Sequence, residues 1–499
     1  MMAIGRLLAR GLCVAMLAFA AAPVAASPWA EVGDARLRAD IENLAAHGIL
    51  DDMTTTWPLP WGQISARISE RGDRPMPPFV RRSLERVRAR LERETRIDRL
   101  ELSATARLAG ETALVRDFAT TARKEYDASA SAEYLFSTTA LRLTVGGQGQ
   151  VDGEDSDLVF DGSYIAQALG NWIVYGGTID QWWGPGRISS LILSNNARPF
   201  PRIGIMRNAD EPFETPWLSW LGPWHLNAFV GLLNDHRAVK NVILTGFRLA
   251  INPVPGFEFA AFRTTMLCGD GINCDLNSLQ SVAFLGDDNV VAGDTKNVTN
   301  GIGGADATFT STLGGVDYSL YGQFIGEDIA RGFFADISFL AGASLWGAAG
   351  HAGGLWRLTV EHSDTRAKLN NINKGPNITY EHAVFRSGYR FIGRSLGFSL
   401  DGDSRLTSVV ASLTDLRDVT YRLAYHRAQI NHDGTTINGA FAVPLSADRE
   451  DINIVEAGVT VPWRNTVFAL EGRVRDDSPN SPGEKDFDAA VEVSWSVRF

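Results

Sequence analysis

The residues whose types and spacing best suit chemistry lie between Gln181 and Pro199. Trp182 and Trp183 are adjacent, so in an extended strand their indoles point to opposite faces. One can stack on a sugar ring inside a lumen or at its rim. The other can sit in an interfacial aromatic band. Packing is the plainer alternative for both. Arg187, Asn195, Asn196 and Arg198 follow, with guanidinium and amide donors that suit hydroxyls and carboxylates. A turn whose backbone bonds are already satisfied is the plainer reading of Asn195, Asn196 and Arg198.

Other chemistry is thinner. Gly393-Arg-Ser-Leu-Gly397 satisfies G-x-S-x-G, but a nucleophile elbow needs a strand-to-helix turn, and no helical pattern follows. A Ser/His/acid hydrolase would also need its partners side by side, and the eight His are scattered. His362 and His382 can meet only across a hairpin, and neither brings further metal ligands. Asp401 with Asp403, and Asp152 with Asp155 and Asp157, offer oxygen ligands without EF-hand spacing. Asp270 and Asp275 add no more. No metal or cofactor is expected.

The elements that position these residues follow from length, charge and periodicity. At ~150 residues per domain, 499 residues could form three soluble domains, and 45% hydrophobic content excludes a disordered chain. Arg6 and Arg10, the apolar run Leu12 to Ala22 and the small-x-small site Val24-Ala25-Ala26 make residues 1–26 a secretory signal peptide. Its removal leaves 45 basic against 58 acidic side chains, a charge of −13. With no extended basic face, nucleic acid is not an expected partner. Cys13 leaves with the leader. Cys268 and Cys274 then remain in a loop-like segment, and an oxidising compartment favours one disulfide between them. No apolar run is long enough for a transmembrane helix.

Residues 27–100 read as a helical domain. Asp34 can cap a helix carrying Leu37, Ile41 and Leu44, with Gly48 at its end. Ile64 and Ile68 follow the Trp57-Pro-Leu-Pro-Trp61 turn. A third helix begins near Pro78, with Val80, Leu84, Val87 and Leu91 on one face. Its other face carries Arg81, Arg82, Arg86, Arg88, Arg90, Arg93 and Arg96. A solvated face is the plain reading; a surface for phospholipid heads or an acidic partner is the alternative.

From about residue 101 the period becomes two. Phe487, Val491, Val493, Trp495, Val497 and Phe499 alternate with Asp488, Glu492, Ser494 and Arg498. Trp356, Leu358 and Val360 alternate with Arg357, Thr359 and Glu361. Strands of ~10 residues with one apolar and one polar face match a membrane β-barrel. It must close because a bilayer satisfies no open edge. Residues 101–499, at ~22 per strand plus loop, give about 18 strands, with sixteen as the alternative. Charged side chains are expected to face a wet lumen. A soluble sandwich or propeller also alternates, but the polar face here is often charged and no fixed-period repeat appears.

Motifs along nearly the whole mature chain resemble the capsule assembly Wzi family. They are Val32-Gly-Asp-Ala-Arg-Leu-Arg-Ala-Asp40 with Ala46-His-Gly-Ile49 and Trp57-Pro-Leu-Pro-Trp61; Gln181-Trp-Trp-Gly-Pro-Gly186 leading to Ser190-Leu-Ile-Leu-Ser-Asn-Asn-Ala-Arg-Pro199; and Tyr380-Glu-His, Arg386-Ser-Gly-Tyr-Arg390, Gly393-Arg-Ser-Leu-Gly397 and Asp401-Gly-Asp-Ser404. The resemblance implies an outer-membrane barrel behind a periplasmic helical bundle. It implies a non-enzymatic lectin that holds capsular or extracellular polysaccharide at the cell surface. The segments Cys268 to Cys274 and Gly286 to Gly304 depart from the pattern. Expected partners are the polysaccharide, outer-membrane lipid and the assembly machinery that reads the Phe499 end, with the protein a monomer. The competing function is a porin or sugar export channel, which needs the same alternation. The helical preface favours a plug or docking platform.

Overall fold

The computed structural model describes residues 28–151, 156–272, 274, 298–330, 333–350, 353–369, 377–435, 445–479 and 485–499. The expected signal peptide lies outside these residues, as do Asp152, Asp155, Asp275 and most of the Gly286–Gly304 segment.

Three helices come first: α1 (Ala35–Ala46), α2 (Trp61–Arg71) and α3 (Pro78–Glu94). The Leu37 N–H donates to the Asp34 carboxylate at 2.9 Å, which caps α1. Gly48, at φ 67°, supplies the left-handed residue after that helix. Pro78 opens α3 where a missing N–H costs nothing. Leu37, Ile41 and Leu44 share a buried cluster with Ile64, Ile68, Val80, Leu84 and Val87. No described helix is long and apolar enough to cross a membrane.

The rest is one closed antiparallel barrel of eighteen strands. They are β1 (Leu100–Ala109), β2 (Tyr126–Leu135), β3 (Thr139–Gly149), β4 (Ser156–Val159 and Tyr164–Leu169, interrupted at 160–163), β5 (Trp172–Gly177) and β6 (Arg202–Arg207). Then come β7 (Trp224–Leu233), β8 (Val242–Val254), β9 (Phe257–Leu267), β10 (Thr299–Leu313), β11 (Val316–Gly326) and β12 (Ile337–Ala349). Last are β13 (Gly354–Leu369), β14 (Arg405–Thr414), β15 (Thr420–Ile430), β16 (Glu450–Trp463), β17 (Thr466–Arg475) and β18 (Asp488–Arg498). Closure runs from Glu492↔Ala109 to Arg498↔Ser103, and the Phe499 N–H donates to Leu102 O at 2.8 Å. No strand edge is left open in the barrel, as a bilayer requires.

The alternation sorts side chains as the sequence suggests. Leu141, Leu143 and Val145 on β3, Leu358 and Val360 on β13, and Val491, Val493 and Trp495 on β18 are exposed on the outer wall. Arg357, Thr359 and Glu361 point inward and are buried.

The two ends of the barrel differ. One carries short connections: 136–138, 170–171, 255–256, 314–315, 415–419 and 464–465. The other carries long ones, including 110–125, 178–201, 268–298 and 370–404. The helices sit at the short-turn end. There Arg82 donates to Leu416 O at 2.9 Å, Arg36 to Asp418 O at 2.9 Å, and Arg86 pairs with Asp418 at 3.1 Å. At that end the 208–223 connection folds back on the outer wall. Phe213 stacks on Trp224 at 4.5 Å, and the Arg207 guanidinium lies 3.6 Å over the same indole. Trp217 and Trp220 of this connection are exposed, and so is Trp463 at the same end of β16 on the opposite wall, as in an interfacial aromatic girdle.

Candidate functional site

The lumen is filled with protein where a water-lined bore was expected. After β5 the chain turns inward, and residues 178–201 form a buried plug. Trp182 and Trp183 pair across a two-residue antiparallel ladder with Trp57 and Thr56, the segment between α1 and α2. The Gly184 N–H donates to Thr55 O at 2.9 Å, and the Arg38 guanidinium donates to Pro185 O at 2.8 Å. The helical domain and the plug are therefore joined inside the barrel.

Inward polar residues hold this plug because a loop carries backbone groups that helices and sheets would otherwise satisfy. The Glu361 carboxylate accepts N–H bonds from Arg187 at 2.8 Å, Ile188 at 3.3 Å and Ser189 at 2.7 Å, and the Tyr321 hydroxyl at 2.9 Å. The Gln323 amide accepts from Leu191 N–H at 2.7 Å and donates to Trp183 O at 2.9 Å. Arg248 forms a two-bond fork with Asp306 at 2.6 and 2.9 Å and also reaches Thr55 and Thr56. At these positions the charged inward face meets protein.

A second inward segment, 377–404, lies against the first. Tyr380 donates to Leu191 O at 2.6 Å, and Tyr389 to Ile192 O at 3.0 Å. Arg390 forks onto Asp401 at 2.7 and 2.8 Å and also pairs with Glu381. Between the segments and the wall, Leu191, Ile192, Tyr380, Phe385 and Phe398 pack with Leu244, Met266, Ile302, Ile325, Leu340, Leu406 and Ile452.

The residues singled out from sequence fall into this architecture. Trp182 and Trp183 are both 0% exposed, so neither offers a ring face to an external sugar. Trp182 packs edge-on against Phe118 at 5.4 Å and donates to Gly186 O at 3.0 Å. Trp183 lies 5.5 Å from Phe229, and its indole N–H has no partner among the described residues. Asn195 donates to Phe118 O at 3.1 Å, and Asn196 to Ser395 O at 2.9 Å. Arg198 forks onto Asp161 at 2.9 and 3.0 Å. Arg187 shares Glu42 with Arg38 and Arg357, beside a small pocket also lined by Thr55, Tyr321 and Trp346. Burial, then the neighbouring Arg357 and Arg38, push the Arg187 guanidinium well below its usual range.

Cys268 and Cys274 are joined by a disulfide. Ser395 is buried in a two-residue hairpin, where its hydroxyl accepts the Gly397 N–H at 3.1 Å. His362 lies on the outer wall against Thr407, whereas His382 lies in the plug. Asp401 is spent on Arg390, and among the described residues no His/Cys/Asp/Glu group has metal-site geometry. The arginine face of α3 is only partly solvated. Arg86 pairs with Asp40 and Asp418, and Arg90 with Glu94 and Asp34. Reading the sequence passed over Glu361, Gln323 and Tyr321 because they look like ordinary lumen-facing strand residues. The only signal for Tyr380 was its place in a motif.

Three comparisons bear on the whole assembly. A curated Klebsiella pneumoniae protein, described as an uncharacterized 55.8 kDa protein in the cps region, is 29% identical over 426 residues, covering 82% of this chain and 79% of its own. The solved structure of Escherichia coli Wzi, described as an outer membrane protein involved in group 1 capsule assembly and a carbohydrate-binding β-barrel, aligns with a TM-score of 0.78 at 22% identity. That alignment covers 94% of this chain and 99% of Wzi. Residues 74–476 match the family model described as capsule assembly protein Wzi, which is most of the chain, and the chain belongs to that family.

Proposed function

We propose that this protein sits in the bacterial outer membrane and binds exported capsular or related polysaccharide at the cell surface, holding it there without altering it. The single observation that carries this reading, beside family membership, is the lumen closed from both ends, which leaves the surface rather than the bore as the working part. The competing channel reading needs a continuous polar path, and the plug occupies its place. The E. coli protein's carbohydrate binding and the cps-region relative point the same way.

In this reading the short turns and helical domain face the periplasm, and the long connections face outward, as in outer-membrane barrels generally. The exposed apolar wall contacts lipid, and outer-membrane assembly machinery inserts the barrel. The protein works as a monomer without cofactor or catalytic group. Arg187, Asn195, Asn196, Arg198 and the two tryptophans serve the site from beneath. They fix the plug that supports the outer connections, and the outer connections meet the glycan.

Deleting the gene should move polysaccharide from the cell-bound to the soluble fraction, and plasmid-borne protein should restore it. Unchanged retention after deletion contradicts the proposal. Arg187→Ala with Arg198→Ala should lower retention only insofar as it loosens the plug. Lowered retention with the plug intact would instead give these arginines a direct contact with the glycan.

A further inference from the structure

The outer wall of β13 to β16 changes character near the long-loop end. On β13 the exposed Leu358 and Val360 give way to His362 and the buried Asp364, and then, where the pairing with β12 shifts register, to Arg366. On β14, Val409 gives way to Thr407 and Arg405; on β15, Leu423 and Tyr425 give way to Arg427 and Gln429. On β16, Val455 gives way to Asn453, Asp451 and then Arg449 just outside the strand. The ladders align these positions. Asp364 faces Arg405, Arg405 faces Gln429 and Gln429 faces Asp451, while Thr407 faces Arg427 and Arg427 faces Asn453. The basic side chains therefore form one patch across neighbouring strands about 4.8 Å apart.

Three acids beside this patch have partners, while Asp433 faces Arg366 and His432. Asp364 holds Arg366 through bonds of 2.9 and 3.1 Å. Asp451 accepts from Gln429 at 2.7 Å and pairs with Arg449 at 3.4 Å. Asp403 accepts the Asp433 N–H at 2.7 Å. Arg405 is left with the neutral Gln429 carbonyl at 2.8 Å, and Arg427 has no hydrogen bond or ion pair among the described residues. His432, in the turn after β15, registers the surplus: burial, then Arg449, Arg366 and Arg405, hold its imidazole below the usual range, with Asp433 opposing.

An unpaired guanidinium at the edge of a lipid-facing wall is costly unless an anion of the headgroup layer meets it. Arg427 lies two residues beyond the exposed Tyr425, about 7 Å along the strand. That is headgroup depth if Tyr425 marks the edge of the apolar band. We propose that the outer-wall patch centred on Arg405 and Arg427, with Arg366 and Arg449 beside it, binds the phosphate groups of a phosphorylated glycolipid in the outer leaflet. Polysaccharide is the less favoured ligand because the patch lies on the side wall, at lipid level, rather than over the barrel mouth. The assignment rests on the outward orientation of the long connections given above.

The test uses the full-length protein in an uncharged detergent. The probe is a purified acylated glucosamine disaccharide, with its phosphates or with them removed, and binding is read by native mass spectrometry. The phosphorylated lipid should bind tighter by roughly tenfold or more, with the difference shrinking as salt rises. Arg405→Glu with Arg427→Glu should abolish the difference while strand-dominated circular dichroism is retained. Arg405→Lys with Arg427→Lys should keep most of it and report on a variant that preserves the charge. Equal binding of the two lipids, or an unchanged preference in the folded Glu variant, overturns the proposal. So does a Glu variant that loses polysaccharide retention while keeping the lipid preference. The lipid assay contains no polysaccharide, so failure of the attachment reading would show separately in the deletion strain.

Discussion

The lumen is closed twice, and the two closures are built differently. At the long-loop end the plug meets the wall through a broad apolar cluster, with Leu244, Met266, Ile302, Ile325, Leu340, Leu406, Ile430 and Ile452 coming from β8 to β12 and β14 to β16. Its polar contacts are buried, from the Glu361 carboxylate under three backbone N–H groups to Tyr380 at Leu191 O, Tyr389 at Ile192 O and Gln323 at two backbone groups. At the short-turn end the helical cap shares only Trp346 and Leu355 of the wall in its apolar cluster. It holds the rim by charge: Arg36 and Arg86 at Asp418, Arg82 at Leu416, and Glu94 at Arg498. Apolar burial is insensitive to salt and pH, whereas exposed ion pairs are weakened by both. The plug therefore belongs to the folding core of the barrel, and the cap is an attachment that conditions can loosen.

The largest effect should come from Glu361→Ala. It strips the partner from three backbone N–H groups and the Tyr321 hydroxyl, each buried loss costing about 1–3 kcal/mol. The folded, heat-modifiable band should melt at a much lower temperature in unboiled gel electrophoresis. A variant as heat-resistant as the parent would place the plug outside the folding core. Tyr380→Phe should cost less, about 1–3 kcal/mol, because it removes one donor to Leu191 O and one acceptor for the Phe398 N–H. Faster hydrogen exchange confined to residues 188–199 is the expected readout.

The cap should respond to acid through Glu94. Burial pushes the Glu94 carboxyl up, but Arg90 and Arg498 pull it down further, to about 2 from an ordinary 4.5. A depressed folded-state value gives stability that is complete above pH 4.5 and is lost as pH falls toward 2. Amides of α3 should gain exchange over that interval before those of the barrel strands, and Glu94→Gln should remove the dependence. Simultaneous loss in both regions would erase the distinction between the two closures.

The smallest contrast is between neighbours. Trp182→Phe loses the bond to Gly186 O together with ring volume, whereas Trp183→Phe loses ring volume alone, since its N–H is unpaired. Thermal unfolding should place Trp182→Phe below Trp183→Phe by about 1 kcal/mol. The reverse order would mean that an unseen partner meets the Trp183 indole.

Much of this frame could be read from the chain. The period-two alternation of residues 487–499 and 356–361 gave the barrel wall, and the Asp34 cap and the Val80/Leu84/Val87 spacing gave α1 and α3. The plug could not be read in the same way. A strand shows only that Glu361 or Arg248 faces inward, and such a residue looks the same whether water or a folded loop lies opposite. The aromatic and amide residues from Trp182 to Arg198 likewise have the composition of a sugar site and of a buried, self-satisfied loop. What separates the two is burial, which depends on contacts with Thr56, Phe118, Gln323 and Tyr380, far away in sequence. The disulfide was legible because its cysteines are close in the chain.

Single-channel recording of the purified protein in a planar bilayer decides whether the lumen is sealed and the work is done at the surface. The intact protein should show no steady conductance, with openings only when the plug is loosened, as in Glu361→Ala. A stable open channel in the unmodified protein would contradict it and give the chain a transport function instead.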